Sequence, residues 1–476
     1  MTGAAFFDLD RTLLAGASGP VYAAAMRRAG VASGRELPGE KLLFGLFNRV
    51  GETLPSMLLA RQGIALAKGR SQSATRRAAE EAADELAGLV QPFANGLIAE
   101  HRAAGRQVVM ATTTPEDWVR PLALRLGLDD VVATRWEVEG DRYTGDLHGP
   151  FVWSSGKLSA VRTWALAHGI DLGESWAYSD SVYDAPLLGA VAHPVAVNPD
   201  PRLLLMATVR RWPVLHLDVP PGVAKVPLVG VELQRLLFQI ARPIAFPYAR
   251  FDIGGTEHLP TEGPAILVGN HRSYFDTAAI AVTVARHGRP VRALGKKEVF
   301  DAPLIGALAT AMGGIRVERG TGSDEPLAAA IAALAAGEVV ALMPQGTIPR
   351  GEAFFETELH GRWGAARLAA ATGAPVIPIG LWGTERVWPR SSRLPNILNI
   401  TDPPEVRVRV GPPVKLAGKN LDADTKRILK AIVKLLPAEA REHKVPTAAE
   451  LARTYPPGKA PKSGRADERR RRPGTD

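Results

Sequence analysis

Twice along this chain, short apolar runs alternate with helix-patterned segments, and a proline-rich stretch separates the two series. This pattern constrains the fold more than any other feature, because strands interleaved with helices close into parallel sheets covered by helices. In the first series, Ala4–Phe7, 107–111, 131–133 and Trp176–Ser179 read as strands, and 158–168 reads as a helix stopped by Gly169. From Val21 to about Val90 the period is helical, which predicts an inserted cap. In the second series, 265–268, 339–343 and 376–381 read as strands, and 327–336 and Gly364–Thr372 as helices. Between the two series, Pro213, Pro220, Pro221, Gly222 and Pro227 mark a boundary. The expected organisation is α/β throughout. A Rossmann-like parallel-sheet domain fills 1–212 with a helical cap at about 15–90, a proline-rich linker fills 213–227, and a second α/β domain fills 228–437. From Ala438 the chain turns polar and basic, ending in the run Arg469 to Arg472, and this tail (438–476) is expected to be disordered.

Composition excludes several chemistries. With no cysteine, the chain has no disulfide, thiolate nucleophile or cysteine–zinc site. The formal net charge of +9 has two readings, a coding bias toward arginine or attraction to an anionic membrane surface. Nucleic acid is not expected as a partner, since no basic stripe is interleaved with aromatics. Residues 1–14 lack the basic and apolar pattern of a signal peptide, and no run reaches the ~20 apolar residues of a spanning helix. A cytoplasmic protein lying on the inner face of the cell membrane is therefore expected. Residues 228–251 are the candidate contact, with Trp212, Phe238, Phe246 and Tyr248 at the interface and Arg235, Arg242 and Arg250 near lipid phosphates. Burial of the same segment as an inter-domain helix is the competing reading.

Asp8-Leu9-Asp10-Arg11-Thr12 follows the first apolar strand. Two carboxylates two residues apart on a loop can divide nucleophilic and acid–base work while binding a hard cation. Alone, such a pair is often a solvated turn. Three later clusters add weight: Thr112 to Thr114 at a strand end, Lys157 at a helix start, and Asp180 with Asp184 after another strand. A helix N-terminus and a lysine both favour a phosphate.

Over about residues 1–210 these motifs, in this order, resemble the haloacid dehalogenase superfamily, in its branch close to phosphoserine phosphatase (subfamily IB). The resemblance implies that Asp8 attacks phosphorus to form an aspartyl phosphate, and that Asp10 protonates the leaving oxygen and then activates water. It implies that Thr112 and Lys157 bind phosphoryl oxygens of a small phosphomonoester. Asp180 and Asp184, with Asp8 and Asp10, would hold Mg²⁺, which offsets the negative charge gathered there.

In the second series, Asn270-His271-Arg272-Ser273-Tyr274-Phe275-Asp276 follows a strand. A lone histidine is more often structural than catalytic, but a carboxylate that fixes its tautomer makes it a general base near neutral pH. A separation of five does not put both residues on one helical face. The pair works only if His271 sits at the loop–helix junction and Asp276 folds back. No Gly-x-Ser-x-Gly surrounds Ser273, so an acyl-serine is not expected.

Gly313 to Arg319, Met343-Pro344-Gln345-Gly346-Thr347 and Ala374 to Pro378 follow in order. Over about 245–415 the set resembles the glycerolipid acyltransferases of PlsC type. The resemblance implies that His271, oriented by Asp276, deprotonates an acceptor hydroxyl that attacks an acyl thioester directly. Arg319 would bind the acceptor phosphate, with Gln345, Gly346, Thr347 and Arg350 lining the site. The family's third motif usually reads Pro-Glu-Gly-Thr-Arg; here Gln345 replaces the Glu, Ile348 replaces the Arg, and the next Arg is Arg350. The expected activity is therefore twofold. One part is acylation of the sn-2 hydroxyl of 1-acyl-glycerol-3-phosphate by acyl-CoA or acyl-carrier protein (acyl-ACP), giving phosphatidate. The other is Mg²⁺-dependent phosphomonoester hydrolysis. The alternative is a different lysophospholipid acceptor beside a non-catalytic regulatory phosphatase-like domain.

Overall fold

The computed structural model describes residues 2–32, 53–226, 230–317 and 325–459. The chain divides into two compact units, 1–221 and 222–476.

The first unit is built on a six-stranded sheet of order β3-β2-β1-β6-β7-β8, with every pair parallel. Its strands are β1 (Ala4–Phe7), β2 (Gln107–Pro115), β3 (Asp130–Thr134), β6 (Trp176–Ser179), β7 (His193–Val197) and β8 (Val214–Leu215). Central β1 is a continuous apolar run because both its faces are covered. Ala5 and Phe7 enter one core cluster, Ala4 and Phe6 the other, and all four are buried. The described part of the expected cap comprises the helices Gly19–Arg28, Leu54–Ala65 and Gln72–Ala87; residues 33–52 lie outside the described residues. Helix Gln72–Ala87 buries Ala78, Ala79, Ala82, Ala83 and Leu86 against helix Glu116–Arg125.

A hairpin of β4 (Trp136–Glu139) and β5 (Arg142–Leu147) escaped the sequence reading because β4 alternates over four residues only and β5 does not alternate. Tertiary contacts hold it instead: the Tyr143 hydroxyl donates to Asp117 at 2.9 Å, and Gln72 N–H donates to Asp141 O at 2.8 Å.

The expected linker is corrected over its first half. Val214 and Leu215 form edge strand β8, and Leu217 is buried with Phe93 N–H donating to its carbonyl at 3.0 Å, so these prolines punctuate an edge rather than a free tether.

The second unit holds a seven-stranded sheet of order β12-β11-β13-β10-β14-β15-β9. Its strands are β9 (Arg250–Gly254), β10 (Ala265–Gly269), β11 (Val291–Lys296), β12 (Ile315–Val317), β13 (Val339–Leu342), β14 (Val376–Trp382) and β15 (Glu405–Val410). Only the β14–β15 pairing is antiparallel. Strand β10 repeats the logic of β1, with Ala265 and Leu267 in one cluster and Ile266 and Val268 in the other.

Two expectations about this unit are also corrected. The aromatics assigned to a membrane interface point inward: Phe238 is buried, and Phe246 and Tyr248 pack within about 6 Å of Phe275 (5.9 and 6.2 Å between ring centroids). In the first unit, Trp212 packs on the core as well. Buried Glu232 pairs with buried Arg292, and the Gln234 amide exchanges two hydrogen bonds with the Val291 backbone (3.0 and 2.9 Å), which fastens helix Leu233–Ile240 to β11. The tail is ordered through 459. Helix Ala448–Arg453 carries a Thr447/Glu450 capping box, and Thr454 Oγ1 accepts from Gly351 N–H at 2.7 Å. Residues 460–476 lie outside the described residues.

Candidate active sites

In the first unit, Asp8 leaves the C-terminal end of β1, the edge where parallel α/β sheets place ligands, and its N–H donates to Tyr178 O at 2.9 Å. The loop then turns through Arg11, whose φ of 59° is left-handed, and closes with Leu14 N–H donating to Leu9 O at 2.9 Å. Lys157 lies in the first turn of helix Ser155–His168. That turn needs glycine beside it, because a Cβ on Gly156 would stand 2.2 Å from Phe151 O. Fully buried, Lys157 Nζ donates to Asp8 Oδ1 at 2.9 Å and to Asp184 Oδ2 at 2.6 Å. The Ser179 hydroxyl donates to the same Asp184 oxygen at 2.7 Å. Asp180 contacts Arg11 Nε at 3.3 Å and accepts from Thr12 Oγ1 at 3.5 Å. Asp10 Oδ1 accepts from Ser18 N–H at 2.5 Å, while burial holds its carboxyl above the usual carboxylate range. Thr112 is buried at the end of β2 and accepts from Thr114 N–H at 3.2 Å.

The structure thus joins Asp8, Lys157 and Asp184, residues 149 and 27 positions apart. Sequence reasoning missed Ser179 and Arg11, although Ser179 adjoins Asp180 at a strand end. Among the described residues, no group of three or more His, Cys, Asp or Glu is gathered closely enough to hold a metal ion. Cations and hydroxyls occupy oxygens of three of the four expected carboxylates: Lys157 contacts Asp8 and Asp184, and Arg11 with Thr12 contacts Asp180. The chemistry still fits a hard cation at one point, since Asp184 Oδ1 is buried with no hydrogen-bond partner.

In the second unit, His271 leaves the end of β10 and Asp276 opens helix Asp276–Ala285. The carboxylate folds back as the sequence reading required. Asp276 Oδ2 lies 2.8 Å from His271 Nδ1 and accepts from the backbone N–H of Arg272 (2.7 Å) and Ser273 (2.8 Å), while Oδ1 accepts from the Thr384 hydroxyl at 2.6 Å. Asp276 is wholly buried, whereas the His271 side chain keeps 23% of its surface open. With Nδ1 held as the donor, Nε2 is left as the basic nitrogen. Ser273 is structural, its buried hydroxyl donating to Trp388 O at 2.6 Å.

Gln345 braces the histidine from behind, its side-chain oxygen accepting from His271 N–H at 2.6 Å. Gly346 follows in a tight turn at φ 70°, and Thr347 Oγ1 lies 3.5 Å from Ile348 O. Ile348 is buried, so this position turns inward, and Arg350 is half-buried at the start of the turn Gly351–Phe354. Arg319 lies outside the described residues. Sequence reasoning missed three supports: Thr384, Asn270, which bridges to Leu381 through both amide atoms (2.9 and 2.8 Å), and Arg272, clamped by Glu385 between the Phe354 and Trp382 rings. His271, Gln345, Pro349 and Trp382 line one opening.

Known proteins resemble both units. Residues 5–189 match the haloacid dehalogenase-like hydrolase family, and residues 250–382 match the acyltransferase family. A probable phosphatase of Mycobacterium tuberculosis is 35% identical over 219 residues, which are 46% of this chain and 76% of that protein. A phosphoserine phosphatase of the same organism is 32% identical over 229 residues, 48% and 74% respectively. Among solved structures, the 1-acyl-sn-glycerophosphate acyltransferase PlsC of Thermotoga maritima aligns with a TM-score of 0.32 at 20% identity, over 42% of this chain and 78% of that one. The chain belongs to the haloacid dehalogenase-like hydrolases through its first unit and carries an acyltransferase domain in its second.

Proposed function

We propose that the second unit acylates a lysophospholipid, with lysophosphatidate as acceptor and acyl-CoA or acyl-carrier protein as donor, and that the first unit hydrolyses a small phosphomonoester. The observation that carries this reading is the His271–Asp276 pair, whose carboxylate is filled by four hydrogen-bonding groups while the His271 side chain keeps 23% of its surface open. His271 Nε2 takes the proton of the acceptor hydroxyl as its oxygen bonds to the acyl carbon. The carbon–sulfur bond then breaks, and the proton passes to the thiolate. Arg319 and Arg350 are the candidate contacts to the acceptor phosphate, where guanidinium groups bind in bidentate fashion.

In the first unit, Asp8 bonds to phosphorus as the ester oxygen leaves with a proton from Asp10. Asp10 then takes a proton from the water that breaks the aspartyl phosphate. Lys157 and Thr112 hold phosphoryl oxygens. Asp8, Asp10, Asp180 and Asp184 are the candidate Mg²⁺ ligands, and the ion would offset the charge of ester and carboxylates.

The test uses purified protein, a panel of phosphomonoesters and competing acyl acceptors: lysophosphatidate, lysophosphatidylinositol and monoacylglycerol. Thiol release should favour lysophosphatidate. Equal rates with monoacylglycerol would remove the phosphate-reading roles of Arg319 and Arg350.

A further inference from the structure

Segment 388–402 is tied to the catalytic pair and yet turns aliphatic side chains to solvent. Its base is fixed beside the histidine: Trp388 O accepts from Ser273 Oγ, and the Trp388 ring stands 5.5 Å from that of half-exposed Tyr274. From there the chain carries Leu394 (73% exposed), Ile397 (55%), Leu398 (86%) and Ile400 (60%). Scattered exposed leucines need no explanation, but four large aliphatic residues within seven positions of one loop are a concentrated apolar tip.

The loop also pairs its own backbone. Asn396 N–H donates to Val387 O (3.0 Å), Ile397 N–H to Pro395 O (3.0 Å) and Ile400 N–H to Leu398 O (2.9 Å). The Ser392 hydroxyl donates to Leu394 O at 2.7 Å, and the Asn399 amide to Asp402 O at 2.8 Å. Peptide groups left unpaired cost several kcal/mol on leaving water, so these bonds lower the cost of moving the loop toward a lipid interface. Arg386 and Arg393 flank the tip, exposed and in no ion pair among the described residues, with the Asp402 carboxylate at its base.

We propose that segment 388–402 inserts its tip, Leu394 to Ile400, into an anionic lipid leaflet, an inference that rests on the lysolipid reading of the neighbouring site. The aliphatic side chains enter the boundary between headgroups and acyl chains, Tyr274 sits at headgroup level, and Arg386 and Arg393 meet lipid phosphates. An acceptor then reaches His271 from the leaflet with its acyl chain never fully in water. The aromatics of segment 228–251 do not supply this contact, because they are packed inward.

Co-sedimentation with vesicles rich in phosphatidylglycerol, against phosphatidylcholine vesicles, tests the docking without requiring turnover, so docking and acyl transfer fail independently. The full-length wild type should bind the anionic vesicles at low salt and release at high salt. Ile397→Asp/Leu398→Asp should weaken that binding about tenfold or more while its thermal melt is unchanged, since both side chains are exposed. Ile305→Asp/Leu308→Asp, in a second exposed apolar patch, should bind as wild type. Unchanged binding by the first variant, or loss confined to the second, overturns the proposal. So does a wild-type dimer that Ile397→Asp/Leu398→Asp dissociates in the absence of any vesicle binding. Absence of thiol release with every acceptor, alongside intact vesicle binding, would instead count against the acyltransferase reading.

Discussion

The two candidate catalytic centres solve opposite electrostatic problems with the same architectural device, a loop leaving the C-terminal end of a central buried strand. In the first unit, Asp8 and Asp184 converge in a buried place and are held together by the cation between them, Lys157. In the second, among the described residues, one buried carboxylate meets no lysine or arginine within hydrogen-bond reach, and besides its histidine neutral donors saturate it: two backbone N–H groups and a hydroxyl. The difference is in what each site tolerates losing. A site held by paired charges fails globally when one partner goes, because an uncompensated buried charge remains. A site held by neutral hydrogen bonds degrades one bond at a time.

The sharpest break of this contrast is Lys157→Met. It should abolish phosphate release and, measured without added divalent cation, destabilise the first unit by about 3–5 kcal/mol. Hydrogen exchange in β1 and β6 reads the loss, and adding Asp184→Asn should recover part of it. Recovery of nothing would mean that the two carboxylates do not repel. The second unit should keep its acyl transfer throughout.

His271→Ala should reduce thiol release by about 10²- to 10⁴-fold while stability and phosphate release stay near wild type. A loss of only a few-fold would mean that another group takes the acceptor proton.

Gln345 tests the neutral-donor side of the comparison. Gln345→Ala leaves the His271 N–H without its acceptor, a cost of about 1–3 kcal/mol that should appear as roughly tenfold slower acyl transfer. Gln345→Glu supplies an equivalent acceptor oxygen and should stay within a few-fold of wild type. If Glu were as damaging as Ala, charge at this position, not the hydrogen bond, would be its role.

Smallest of all should be Thr384→Val. It removes one of the groups around Asp276 and, at about 0.5–1.5 kcal/mol, should slow turnover a few-fold without shifting acceptor preference. A loss as large as that of His271→Ala would show that the carboxylate tolerates no missing donor.

Periodicity and punctuation alone determined the two α/β units and their central strands, and put the ionisable residues Asp8 and His271 just past strand ends. A strand buried on both faces must be apolar at every position, as Ala4–Phe7 and Ala265–Gly269 are, and short-range patterns of this kind survive in any tertiary context. The local motif also set the condition that Asp276 fold back if it is to reach His271, because a separation of five does not put both residues on one helical face. What tertiary structure decided is whatever depends on distant residues. Thr384 reaches Asp276 from 108 positions away, and Lys157 reaches Asp8 from 149, distances over which sequence carries no spacing rule. Gln345 looked like a change of charge beside the acceptor and proved to hold the histidine backbone. Residues 228–251 had an amphipathic look that suited either lipid or core. Only the packing of Phe246 and Tyr248 on Phe275 chose the core for its aromatics, while Ile240 and Ile244 stay exposed, because burial is a property of the partner surface and not of the segment.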